Sequence, residues 1–317
     1  MVNGEELKIF CGSANRELAE EIANCLGVKL GNCEVNRFSD GEIAISIGES
    51  VRGTNSFLIQ PLCGPINESI MELLIIVDAL RRASVNTVNA VIPYYAYARQ
   101  DRKTKARDPI TAKLLADLIT AAGANRVVAM DLHAGQIQGF FNIPLDHLTA
   151  IPILANYLMQ KKIKNGVVVS PDLGGVTRAR DLANRLAMPI AIIDKKRPAP
   201  NKAEIMHIIG DVADKTAIFI DDMIDTAGTI TLGTEALLKA GAKDVYASCT
   251  HPVFSGSAIR KLSDSKLKEV IYTNTIPVDR GQLAGLRECF RQLSVAPLIA
   301  EAIMRIQKKI SVSELFD

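Results

Sequence analysis

Similar segments recur in the same order along this chain, spaced by roughly 160 residues. Ile22-Ala-Asn-Cys-Leu-Gly27 is answered by Leu182-Ala-Asn-Arg-Leu-Ala187, and Ile47-Gly-Glu49 by Ile209-Gly-Asp211. Phe57-Leu-Ile-Gln60 is answered by Ile218-Phe-Ile-Asp221, and Ala79-Leu-Arg-Arg-Ala83 by Ala236-Leu-Leu-Lys-Ala240. One match of this kind arises by chance; four in order point to duplication. The 317 residues therefore read as two similar domains, 1–149 and 150–289, with 290–317, which holds the apolar stretch Ala296–Ile306, packing back on the first.

Within each half, short apolar runs bounded by Gly, Pro or Asp alternate with longer amphipathic segments, the pattern of a mainly parallel sheet flanked by helices. Strands are predicted at Leu7–Cys11, Ser56–Gln60, Thr87–Pro93, Arg126–Asp131, Gly166–Ser170, Pro189–Asp194, Thr216–Asp222 and Asp244–Thr250. Helical spacing predicts Asn15–Leu26, Glu68–Ala83, Thr111–Ala122, Ile151–Gln160, Val176–Ala187 and Thr229–Ala240, with Gly123 and Gly241 as C-terminal caps. The fold class is α/β.

Composition removes several functional classes. Hydrophobic residues make up 48% and charged residues 23%, which excludes disorder. Thirty-seven Lys and Arg against 35 acidic residues leave no general attraction to nucleic acid or an anionic membrane. The six cysteines form no C-x-x-C pair and no zinc spacing with histidine, so they read as reduced thiols. With no secretory pattern at Met1–Phe10 and no apolar run of membrane-spanning length, a cytoplasmic location is expected.

The segment Ala217-Ile-Phe-Ile-Asp-Asp-Met-Ile-Asp-Thr-Ala-Gly-Thr229 carries the most chemistry. A buried strand ends in two carboxylates and passes through a short loop into a helix, the place where open α/β sheets bind ligands. Free N–H groups at the helix start suit a phosphate, and Asp221 and Asp222 suit sugar hydroxyls or a magnesium hydration shell. The same residues also make an Asp-rich turn with an ordinary N-cap. Ser170-Pro-Asp-Leu-Gly-Gly-Val-Thr-Arg-Ala179 repeats this logic, its two glycines allowing a polyanion close to the backbone. Asp194-Lys-Lys-Arg-Pro-Ala-Pro-Asn-Lys202 leaves a strand as a projecting basic loop, either simply solvated or able to close over a transferring phosphoryl group.

In the first half, Arg37-Phe-Ser-Asp-Gly-Glu42 offers an aromatic face and acceptors for an exocyclic amine. Pro93-Tyr-Tyr-Ala-Tyr-Ala-Arg-Gln-Asp-Arg-Lys103 adds aromatic and cationic groups. Phe38 and the tyrosines serve equally well as packing or interface residues. In Asp131-Leu-His-Ala-Gly-Gln136, His133 is either a metal ligand or a satisfied structural histidine.

Taken together, Phe38–Glu42, Tyr97–Asp101, Asp131–His133 with Gln136–Phe141, Asp172–Arg178, Lys195–Arg197 and Asp221–Thr229 resemble the ribose-phosphate pyrophosphokinase family over nearly the whole chain. The resemblance implies two phosphoribosyltransferase-like domains and transfer of the β,γ-diphosphoryl group of MgATP to the 1-hydroxyl of ribose 5-phosphate, releasing AMP. It assigns ATP to Phe38, Asp40, Gly41 and Glu42 of one subunit and to Arg99 and Gln100 across a subunit boundary. Ribose 5-phosphate falls to Arg197, Asp221, Asp222, Asp225, Thr226, Ala227, Gly228 and Thr229, and pyrophosphate to the loop Asp172, Leu173, Gly174, Gly175, Val176 and Thr177. His133 and Asp172 take the Mg2+ positions, and Lys195 and Arg197 are the catalytic cations. Ser50, Arg52, Arg107, Ser311, Ser313 and Phe316 match an allosteric site activated by inorganic phosphate and inhibited by ADP, with Arg102–Ile110 as its loop. A homohexamer is implied. Two rivals explain part of the sequence: a phosphoribosyltransferase, which leaves the Phe38 and Arg99 segments unused, and a non-catalytic nucleotide-binding regulator.

Overall fold

The computed structural model describes residues 6–196, 205–286 and 288–315. The chain divides into two compact units. Residues up to Thr149, Thr275–Pro277 and the segment from Ser294 onward form the first; Ala150–Asn274 and Val278–Leu293 form the second.

The first unit runs β1 (Leu7–Cys11), α1 (Arg16–Leu26), β2 (Cys33–Arg37), β3 (Ile43–Ile47), β4 (Asn55–Ile59), α2 (Ile66–Arg82), β5 (Thr87–Ile92), α3 (Thr111–Ala122), β6 (Arg126–Met130) and β7 (Leu145–Leu148). The second runs α4 (Ile151–Gln160), β8 (Gly166–Ser170), α5 (Val176–Leu186), β9 (Ile190–Lys196), β10 (Ile205–Ile209), β11 (Thr216–Ile224), α6 (Gly228–Lys239), β12 (Asp244–Pro252), α7 (Ala258–Asp264), β13 (Glu269–Thr273), α8 (Arg280–Leu283) and β14 (Phe290–Leu293). Helix α9 (Ala296–Lys308) returns to the first unit, where it packs on α1. Ser294 Oγ there donates to Glu21, and Asn55 Nδ2 donates to Gln307 Oε1 at 3.1 Å in the buried interior.

Duplication is visible down to register. The first sheet is ordered β1-β4-β5-β6-β7, and the second contains the same order as β8-β11-β12-β13-β14, with β9 and β10 added at one edge. Ile9 pairs with Phe57 and Val168 with Ile218, so the matched residues Phe57 and Ile218 hold equivalent places. A single parallel bridge from Ile9 to Leu30 stands where β9 begins beside β8, at Val168 and Ile190. The antiparallel hairpin β2–β3 corresponds to the antiparallel pair β9–β10. Helices α1 and α5 close alike, on Gly27 at φ 67° and Ala187 at φ 52°. Only the alanine carries a Cβ into that left-handed conformation, a cost of about 1–2 kcal/mol.

Because crossover helices cover both faces of a parallel sheet, its strands are apolar on both sides. In the second unit, Val168, Ile218 and Ile220 pack under Leu154 and Leu158 of α4 and Leu182 of α5. Val167, Val169 and Phe219 face Ile230 and Leu237 of α6 and Leu262 of α7.

Of the boundaries that move, two bear on the site, each because a neighbouring strand supplies backbone partners. The strand predicted to stop at Asp222 continues to Ile224, where β12 pairs Met223 with His251 and Ile224 with Pro252. The strand predicted to stop at Asp194 continues through Lys196, since β10 pairs Met206 with Lys195 and Ile205 with Lys196. β14 joins the second sheet beside β13, so the return to the first unit begins at Ser294 rather than at residue 290.

Candidate active site

Strands β8 and β11 are neighbours, yet the chain leaves them in opposite directions, β8 toward β9 and β11 toward β12. Such a switch point opens a crevice at the carboxyl ends of the strands. Two loops line it. Pro171–Gly175 leads from β8 into α5, and Asp225–Ala227 leads from β11 into α6. Neither helix has a side-chain N-cap bond, so the N–H groups of their first turns are presented to an anion. Asp172 Oδ1 accepts from Gly175 N at 3.0 Å and Ser170 Oγ donates to the Asp172 carbonyl at 2.6 Å, which folds the first loop back on itself. Its crest is open, with Leu173 63% exposed. In the second loop Ala227 adopts φ 64°, and its carbonyl accepts from Thr231 N at 3.0 Å. Lys261 Nζ reaches the Thr226 carbonyl at 3.5 Å.

Asp221 and Asp222 stand side by side above this crevice. Arg178 of α5 places Nη1 3.3 Å from Asp221 Oδ1 and 3.2 Å from Asp222 Oδ1. Burial, and then the adjacent Asp222 carboxylate, push the pKa of Asp221 well above the usual carboxylate range, while Arg178 pulls weakly the other way. In register with Asp221 on the neighbouring strand β12, the fully buried Cys249 has its thiol pKa raised by burial and by the Asp221 charge. Two carboxylates served by one guanidinium hold surplus negative charge, which suits hydroxyl donors or a hydrated divalent cation and repels a phosphate. In the sequence Arg178 stands with Asp172 and Arg180 as a charge beside the Gly174-Gly175 loop; that it reaches across to both carboxylates of β11 appears only in the fold.

Phe38–Glu42 forms the tip of the β2–β3 hairpin in the first unit. Phe38 N donates to the Glu42 carbonyl at 2.9 Å, Gly41 N to the Phe38 carbonyl at 3.0 Å, and Glu42 N to Asp40 Oδ1 at 3.1 Å. Gly41 needs φ 95°, which glycine takes without strain. Phe38 is 61% exposed, so within its own unit it is not a packing residue. Arg37, at the base of the tip, pairs with Glu68 of α2. The segment holding Arg99 and Gln100 is fastened to the same helix start, Tyr97 Oη donating to Asn67 Oδ1 at 2.7 Å. Arg99 and Gln100 are both exposed, while Tyr94 and Tyr95 are buried.

His133 follows β6 and is exposed, and close by His147 Nε2 accepts from Leu132 N at 2.8 Å. Asp131 is held by Thr149 Oγ1 at 2.8 Å. Among the described residues no group of three or more His, Cys, Asp or Glu side chains is gathered for a metal. Lys195 lies in β9 opposite Met206; its side chain, and Arg197 and Phe316 altogether, fall outside the described residues. Ser50 and Arg52 are exposed beside one another, Arg107 is exposed at φ 70°, and Ser311 and Ser313 are joined by their hydroxyls at 2.6 Å. No described helix is long and apolar enough to cross a membrane, and all six cysteines are free.

Residues 7–123 match the family described as the N-terminal domain of ribose phosphate pyrophosphokinase, and residues 195–317 match the phosphoribosyl synthetase-associated domain. A ribose-phosphate pyrophosphokinase of Clostridium tetani is 59% identical over 99% of this chain and 98% of its own length. One from Caldanaerobacter subterraneus subsp. tengcongensis is 60% identical over 98% of each. The crystal structure of phosphoribosylpyrophosphate synthetase from Mycobacterium smegmatis superimposes with a TM-score of 0.91 at 41% identity, covering 96% of this chain and all of that one.

Proposed function

This chain belongs to the ribose-phosphate pyrophosphokinase family, and from that premise we propose that it transfers the β,γ-diphosphoryl group of MgATP to the 1-hydroxyl of ribose 5-phosphate, releasing AMP. The observation that carries the reading is the crevice at the ends of β8 and β11: two uncapped helix starts beside a carboxylate pair bridged by Arg178.

In this reading Asp225–Thr229 holds the 5-phosphate on backbone N–H groups, and Asp221 and Asp222 accept from the ribose hydroxyls. The loop Asp172–Thr177 takes the pyrophosphate, with the exposed Asp172 and His133 as the residues for Mg2+; the metal, when bound, neutralises phosphate charge. Phe38 stacks on the base while Asp40, Gly41 and Glu42 read its edge; Arg99 and Gln100 come from a neighbouring subunit of a hexamer. Exposure of Phe38, Arg99 and Gln100 supports this division, since each reaches the surface where a ligand or partner can meet it. Transfer of this kind depends on alignment and charge neutralisation more than on a strong base, which is the part given to Lys195 and Arg197. The setting is cytoplasmic, with inorganic phosphate as activator and ADP as inhibitor at Ser50, Arg52, Arg107, Ser311, Ser313 and Phe316.

A coupled assay for AMP, with ATP, Mg2+ and ribose 5-phosphate and no nucleobase, tests the proposal. Release of AMP dependent on the pentose supports it; AMP that does not depend on ribose 5-phosphate, or none at all, rejects it.

A further inference from the structure

In the first sheet the place equivalent to the β8–β11 crevice is the carboxyl end of β1 and β4, where β1 is the edge strand and the single Ile9–Leu30 bridge stands in for β9. There the space is filled from within. Glu72 of α2 is only 4% exposed, and its carboxylate collects Ser13 N at 3.0 Å, Ser13 Oγ at 2.7 and 2.8 Å, and Gln60 Nε2 at 3.0 Å. Each donor has a counterpart in the second unit. Ser13 lies in the loop after β1 as Asp172 lies in the loop after β8, and Gln60 is the residue matched to Asp221.

Glu72 stands eleven residues before the helix end Ala83, and Thr229 stands eleven before the matched helix end Ala240. Helix α6 begins at Gly228, leaving Thr229 in a free first turn, whereas α2 begins earlier, at Ile66, and places Glu72 in its second turn. The loop helices differ likewise: α1 is capped by Asn15 Oδ1 accepting from Leu18 N at 3.2 Å, and α5 has no such cap. Gln60 is fully buried and packed against the loop so closely that a Cβ on Gly12 would lie 2.4 Å from its Oε1. That oxygen has no hydrogen-bond partner among the described residues, so donation to Glu72 and to the Ser69 carbonyl sets the amide's orientation.

We propose that Glu72 is a built-in anion: its carboxylate fills the first unit's equivalent of the β8–β11 crevice, so that this one place takes no phosphorylated ligand. The comparison rests on the reading of the second crevice as a phosphate site; the occupancy itself does not. A carboxylate that takes a backbone N–H, a hydroxyl and an amide N–H meets the donors a phosphate oxygen would meet. Removing it exposes a site for a small carboxylate, reachable through the cleft lined by Ser13, Val35, Asn36, Arg37 and Ile43.

Acetate supplies the atoms that Glu72→Ala deletes, which makes the test chemical rescue on the full chain. Glu72→Ala is expected to lower Tm by roughly 5–10 °C, since it strands buried donors. Sodium acetate at about 100 mM returns at least half of that loss, and sodium chloride at equal ionic strength does not. Glu72→Gln fills the space with a neutral amide; it also loses stability and gains nothing from acetate, as wild type gains nothing. The proposal is overturned if acetate fails to exceed chloride with Glu72→Ala, or if it raises all three proteins alike. Should Glu72→Ala not accumulate folded, its refolding yield in acetate against chloride reads the same question, with equal yields counting against. Wild-type AMP release is measured separately, so failure of the rescue and failure of the proposed reaction remain distinct results.

Discussion

The guanidinium of Arg178 stands 3.3 Å from Asp221 while also lying 3.2 Å from Asp222, one cation between two carboxylates. The Asp221 carboxylate also accepts from Asp222 N at 2.9 Å, so the two acidic residues are tied to each other as well as to the one guanidinium. A protein that keeps such a pair in its interior gives up stability in exchange for a site ready for hydroxyls or a cation.

That pair sets a pH dependence. The folded-state pKa of Asp221 is raised above its ordinary value of 3.8, mainly by burial and then by Asp222. Between those two values the folded protein holds more protons than the unfolded chain, so stability falls as pH rises through that window and stays lower above it. Asp221→Asn removes the effect. Thermal melts of the ligand-free protein are expected to show the variant more stable than wild type at pH 7–8 and its curve flatter with pH, while AMP release is lost. Parallel curves for the two proteins would refute the account.

Lys195→Ala is expected to lower kcat by about 10²–10³-fold and to change the KM for ribose 5-phosphate by less than roughly threefold. Steady-state kinetics with the pentose varied separates the cases. An equal effect on kcat and on pentose affinity would make Lys195 a binding residue instead.

Exposure of Phe38 on one segment and of Arg99 on another leads to a complementation experiment. Phe38→Ala and Arg99→Ala each raise the KM for ATP by about tenfold or more and leave that for ribose 5-phosphate near wild type. Mixed and reassembled, the two variants regain part of the wild-type rate, because some boundaries join the intact halves. Absence of any regain would mean that ATP is held within one subunit.

Regulation is tested at Ser313 and Arg107. Wild-type activity is expected to require inorganic phosphate and to fall with ADP at saturating ATP. Ser313→Ala and Arg107→Ala shift the phosphate activation curve to higher concentration while the maximal rate at excess phosphate is kept. Full activity of the wild type without phosphate, unaffected by ADP, would dismiss this site.

The parallel strands were legible because burial on both faces leaves continuous apolar runs such as Val167-Val-Val169 and Ile218-Phe-Ile220. Strands β2 and β3 gave no such run: they pair only with each other, their side chains are exposed or half-buried, and Cys33-Glu-Val-Asn-Arg37 reads as polar. β7, with four residues, and β10, β13 and β14 likewise lie outside the predicted strands. At the site, the two loops and their carboxylates followed from local sequence. Glu72 could not, for a glutamate in the second turn of an amphipathic helix reads as a solvated position until Ser13 and Gln60, far away in sequence, are seen to surround it.

Placement of α9 bears on how the molecule is made. The first unit takes its last helix from the end of the chain, where Gln307 joins Asn55 in the interior. During synthesis on the ribosome, the earlier-translated half therefore waits, incomplete, until the final segment emerges, whereas the later half already has all of its own parts once Leu293 is out. A nascent chain paused with Leu293 out and α9 still inside the exit tunnel would expose the flank of α1 that α9 covers, giving holdase chaperones a defined target.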